Sequence, residues 1–210
     1  KAKRLEKVVN DAIEAGNKDQ AVDAVAALLA IGADGYDQYF SAYEAISKVG
    51  NPWGGTNTLG LSMFDFNKLM NAEAADYLIS NINDDSIPSA ARASSPHVYH
   101  WSNRTASQDE VVAKLCGILE SSTDENVLGS TLHVLGYLKH PQSVPNLASF
   151  AAKATYSNSL RVRAIDLMAQ IESPDVEGYL SQFSNDPVDE ISAAALKGLV
   201  IQTPPDSELW

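Results

Sequence analysis

Three nine-residue segments constrain the fold of this chain more than any other feature. "VLGSTLHVL" starts at Val127, "LRVRAIDLM" at Leu160 and "ISAAALKGL" at Ile191, so the starts lie 33 and then 31 residues apart. Each opens on an apolar residue, places a small one four positions later (Thr131, Ala164, Ala195) and closes on an apolar ninth residue (Leu135, Met168, Leu199). Apolar offsets of three, four and seven describe one face of an α-helix. The small position is where neighbouring helices must come close. A period between about 20 and 50 residues belongs to stacked helix pairs, which bury their apolar faces only against one another.

Start signals around these segments divide residues 107–202 into three regular helix pairs. Ser107 and Glu110 are spaced as a capping box before "VVAKLCGIL", and Asp124 precedes "ENVLGSTLHVLGYL". Ser143 precedes "VPNLASFAAKA", and Ser157 or Asn158 precedes "LRVRAIDLMAQI". Ser173–Pro174 and Asp186–Pro187 each combine a cap residue with proline at the first helical position. The amino-terminal half, residues 1–106, is also helical but irregular. Leu5, Val8, Val9, Ala12 and Ile13 form one stripe that stops at Gly16, and Asn17 with Gln20 opens a second helix that ends at Gly32. Asp34 caps a third, whose Tyr36, Tyr39, Phe40, Tyr43 and Ile46 read as a core stripe. Residues 49–60, rich in glycine, and 83–107, which contain "SSPHVYHWSNRT", are expected as long loops. A helix between them runs from about Ser62 to Ile82, and residues 203–210 form a tail. No stretch alternates like a strand. The fold predicted is all-α, one domain over residues 1–210.

The three segments resemble the second helices of HEAT-like repeats, the short bacterial kind also found in phycobilin lyases. That helix commonly reads Val-Arg-x-x-Ala-x-x-Ala-Leu after an aspartate-rich turn. Leu160, Arg161, Ala164 and Met168 come closest, and Asp124 and Asp186 stand at the turn in the other two repeats. Leu128 and Ser192 occupy the arginine position there, so the family's Asp–Arg ladder between repeats is fragmentary. The resemblance covers about residues 107–202 and, more degenerately, 17–49. It implies a right-handed α–α superhelix whose second helices line the concave face.

Charge narrows the function classes. With 15 Lys and Arg against 27 Asp and Glu, the net charge of −12 speaks against nucleic acid and anionic membrane as partners. Hydrophobic residues make up 45% of the chain, enough for a core, yet no apolar run approaches the about 18 residues of a membrane span. Cys116 is the single cysteine, which excludes an intrachain disulfide and a thiolate metal cage; within "VVAKLCGIL" it reads as a small buried hydrophobe. The chain begins at Lys1 without a methionine, which together with the low cysteine count favours export over a cytoplasmic location and leaves the compartment open.

No catalytic constellation stands out, and no cofactor or metal site is expected. There is no Gly-x-Ser-x-Gly elbow and no phosphate loop. His97 and His100, with Asp84 or Asp85, form the one metal set worth naming, and Pro96 weakens it. Among HEAT-like enzymes, the DNA glycosylases use a basic groove and the deoxyhypusine hydroxylases use His-Glu motifs. Neither is found here, and no residue singles out lyase chemistry. The reading is therefore a non-enzymatic protein–protein interaction or scaffold module. Its partner-contact residues would be Ser130, His133, Tyr137, Arg163, Asp166, Gln170 and Lys197, the positions of the second helices that face away from the core. The alternative is a small-molecule-binding or enzymatic protein. Its site would use Trp53, His97, Tyr99, His100, Trp101 and Arg104, from the loops at 50–58 and 94–105.

Overall fold

A computed structural model of the chain describes residues 1–49, 72–87, 89–102 and 106–202. Among the described residues there are eleven α-helices and no strand, so the protein is all-α. The chain, read from its sequence as one domain, divides into two compact units, Lys1–Arg104 and Thr105–Trp210.

In the first unit, α1 (Ala2–Glu14), α2 (Lys18–Leu29) and α3 (Ala33–Val49) all pack on one another. Gly16 and Gly32 have φ of +65° and +77°, the left-handed conformation that ends a helix without a Cβ clash. Asn17 accepts a hydrogen bond from the Gln20 backbone at 3.3 Å, and its own side chain amide donates to the Gln20 side chain. Asp34 lies inside the first turn of α3 and does not cap it, because the helix already starts at Ala33. Val9, Val25, Leu28, Tyr36 and Tyr39 are buried in a common core. The side chains of Phe40, Tyr43 and Ile46 and the whole of residues 50–71 lie outside the described residues.

Of the stretch 83–107, expected as a loop, residues 83–87 form a short turn and residues 89–102 a helix. α4 (Ala72–Ser80) ends in that turn, and α5 (Ser89–Ser102) packs on both α3 and α4. Pro96 sits inside α5, where its missing N–H removes the bond to the carbonyl of Arg92. The hydroxyl of Ser95 donates to that carbonyl at 2.7 Å, and Ser95 is wholly buried. A serine beside the proline thus supplies the donor that the proline lacks. Burial of that side of α5 outweighs the helix-breaking tendency of "SSP".

In the second unit, α6 (Gln108–Ser121) pairs with α7 (Glu125–Leu138). A 3₁₀ turn (Pro141–Ser143) leads into α8 (Val144–Ala152), which pairs with α9 (Asn158–Met168). α10 (Val176–Phe183) pairs with α11 (Asp189–Gln202). α9 lies between α7 and α11 and packs on both, while α6 packs beside α8. Some of the expected start signals act through specific atoms, while Ser143 and Ser157 precede their helices without a side-chain cap bond. Ser107 and Glu110 form a reciprocal capping box, and Asp124 Oδ1 accepts from the backbone N–H of Asn126 and Val127. Asp186 Oδ1 accepts from Val188 N at 2.9 Å. The signal at Ser173–Pro174 is displaced, since α10 begins at Val176 behind Asp175 and has no side-chain cap.

The repeat positions are core positions. Val127, Thr131, Leu135, Ala164, Met168, Ile191 and Ala195 are fully buried, Leu160 nearly so, and Leu199 half-buried. Thr131 keeps its hydroxyl satisfied by donating to Val127 O at 2.8 Å. One Asp–Arg rung between pairs is present. Arg161 Nη2 donates to Asp186 Oδ2 at 3.0 Å and its Nε donates to Ala151 O at 2.7 Å, with both side chains almost closed to solvent. The guanidinium therefore ties the end of α8 to the turn that starts the following pair's second helix.

Candidate interaction face

Helical spacing places Ser130, His133 and Tyr137 on the same side of α7, opposite the buried Leu128 and Leu135. The same spacing on α9 turns Arg163 and Asp166 away from Ala164 and Met168, and Gln170 lies exposed in the turn just after the helix. Contacts between helices join these sets. Arg163 Nη2 lies 3.1 Å from His133 Nδ1 across a sequence distance of 30 residues. Arginine can only donate, so this geometry requires the imidazole to carry its proton on Nε2. Lys197 Nζ of α11 donates to Asp166 Oδ1 at 3.0 Å across 31 residues. Gln170 turns back and donates to Asp166 O at 3.1 Å.

Three consecutive second helices thus present one continuous polar face. Tyr137 stands out from it at 66% exposure, while Ser130 is half-buried. The Asp166–Lys197 pair is open to water and contributes little to stability. What the face offers is a mixture of donors, acceptors and one large aromatic ring, with two cations, Arg163 and Lys197, and one carboxylate, Asp166, along it.

The aromatic and histidine set is distributed differently. Trp53 and Arg104 lie outside the described residues, and so does the side chain of Trp101 on α5. His97, Tyr99 and His100 are named on α5, where His97 and His100 share a side of the helix at about 100° per residue. By the same count Tyr99 points about 200° away from His97. The two carboxylates named with these histidines have other partners. Asp84 Oδ1 accepts from Ser86 N at 2.9 Å, and hydrogen bonds from Ser86, side chain first, hold its carboxyl below the usual range. Asp85 pairs with Arg92 at 3.1 Å. Among the described residues, no group of three or more His, Cys, Asp or Glu side chains is placed to hold a metal.

Sequence reasoning missed a cleft of about 310 Å³ between α6 and the start of α8. Ala113 and Gly117, four residues apart on α6, open it, and Cys116 lies at its floor. Those two small residues were the legible signal. Cys116 is 6% exposed, the buried small residue expected; burial, and then the charge of Glu120, push its thiol up to about 11. Asn146 Nδ2 donates to Glu120 Oε1 at 2.9 Å across the rim. A thiol so raised is protonated and inert near neutral pH.

No family model matches the chain, and neither a curated protein nor a solved structure matches it. No helix among the described residues is long and apolar enough to cross a membrane.

Proposed function

We propose that the second unit is a HEAT-like stack of helix pairs, wound as a right-handed superhelix, and that it works as a non-enzymatic protein–protein interaction or scaffold module. The observation that carries this reading is the pair of contacts His133–Arg163 and Asp166–Lys197. They align exposed polar residues from α7, α9 and α11 into one surface three helices wide. A protein partner suits such a surface, since Tyr137 supplies a ring with both apolar area and a hydroxyl, and aromatic and arginine residues dominate interface energetics. The fold resemblance adds support by analogy only.

Site-specific photo-crosslinking tests the reading. A benzoylphenylalanine replacing Tyr137 or Gln170 should yield a discrete protein adduct, and one replacing Lys114 on α6 should not. Reversing charge in Arg163→Glu or Lys197→Glu should abolish the adduct while the chain stays folded. Equal adducts from Lys114 and Tyr137, or adducts indifferent to both reversals, would sink the proposal.

A further inference from the structure

The cleft between α6 and the start of α8 is kept open by a residue that no internal contact requires. Gly117 stands within α6, where glycine is the poorest helix former after proline. Its φ is not left-handed, and a Cβ there would meet nothing within 4 Å, so neither backbone nor packing calls for a glycine. Its effect is to leave space beside Cys116. The rim supplies negative charge and acceptors. Glu120 lies in the last turn of α6, where the helix dipole disfavours a carboxylate and no basic residue offsets it. Among the described residues no Lys, Arg or His pairs with Glu120, and its side chain accepts one hydrogen bond, from Asn146 Nδ2 at 2.9 Å. Glu120 Oε2 and Asn146 Oδ1 therefore remain as acceptors. The field of Glu120 reaches the floor, where after burial it adds to the rise of the Cys116 thiol.

We infer that this cleft binds a small organic cation, an alkylguanidinium, with its chain over Ala113 and Gly117 and its head at the Glu120–Asn146 rim. A guanidinium carries only donors, so it matches a rim whose remaining groups accept, and its bond to a carboxylate is charge-assisted. An anion would face Glu120 with no cation of the cleft to hold it. The size agrees as well. About 310 Å³ is at the small end of the range of ligand pockets, about 300–1,000 Å³, and suits one compact guest. The cleft shares no residue with the second-helix face, so the inference stands apart from whether that face has a protein partner.

Titrating the isotope-labelled full chain with butylguanidinium, read by amide chemical shifts, tests this. Shifts should concentrate at residues 112–120 and 142–146. Butylurea, neutral and of nearly the same shape, should bind about tenfold more weakly or less. Glu120→Gln keeps an acceptor for Asn146 while removing the charge, and should erase the preference for the cation. Gly117→Leu fills the cleft and should abolish binding without lowering the melting temperature, since leucine is the better helix former and its Cβ meets open space. Shifts scattered over the acidic surface, or binding indifferent to both substitutions, overturn the inference. So does an acetyl-Gly-Arg-Gly-amide peptide that binds the cleft more tightly than butylguanidinium, because the guest is then an arginine of a polypeptide.

Discussion

Arg161 and Asp186 are 25 residues apart, and their ion pair is nearly closed to solvent. In that setting the attraction matters less than what is left when one partner is removed. Deleting the carboxylate leaves a guanidinium whose remaining bond is to Ala151 O, and an uncompensated buried charge costs about 3–5 kcal/mol. Asp186→Ala also removes the acceptor of Val188 N at the start of α11. Urea denaturation of the Asp186→Ala variant should therefore show a loss near the lower end of that range. The exposed Lys197→Ala should cost less than about 1 kcal/mol. Both aspartate and arginine were visible as repeat residues in the sequence. Their pairing was not, because it depends on how α9 sits against the next turn.

At the scale of elements, start signals transferred well where they act over three residues. Ser107, Asp124 and Asp186 bond to backbone N–H groups two or three positions on, and nothing distant enters into that geometry. α5 is the opposite case. Serines and Pro96 argue for a loop locally, and proline inside a helix costs about 3 kcal/mol. Packing on α3 and α4, together with the Ser95 hydroxyl on Arg92 O, makes the segment a helix nonetheless. Ser95→Ala should destabilise the first unit by about 1–3 kcal/mol, as removal of a buried donor does. In a Pro96→Ala background the restored N–H can reach the Arg92 carbonyl, so the same Ser95→Ala change should cost measurably less. A double-mutant cycle by chemical denaturation reads that difference; equal costs in both backgrounds would show that the serine does not substitute for the missing N–H.

For the whole molecule, the buried acids set a direction for stability at alkaline pH. Burial raises Tyr39 well above its ordinary value and Tyr36 as well, the latter with help from Glu73, while Cys116 is pushed up to about 11. Each group gives up its proton at lower pH in the unfolded chain than in the folded one. The folded state therefore holds more protons in the interval between, and stability falls as pH rises. The contribution of Cys116 is complete below the ordinary thiol value of 9.0 and is lost as pH climbs through about 11; the tyrosines follow above 10.0. Urea midpoints measured upward from about pH 8 should decline, and Tyr39→Phe should flatten the decline. A midpoint that holds level across that range would contradict the assignment.

The sequence by itself determined the helical class, most helix starts and the buried identity of Val127, Thr131, Leu135, Ala164, Met168, Ile191 and Ala195. Periodicity and capping are local, and a 3.6-residue repeat leaves its trace in any window longer than a few turns. Only the tertiary structure decided that 89–102 is helical, that Arg163 reaches His133 and Lys197 reaches Asp166, and that Leu196 remains exposed where Leu132 and Ile165 are buried. Each of those outcomes depends on which helix lies alongside, and a residue pattern repeated within one helix does not record whether its neighbour is present.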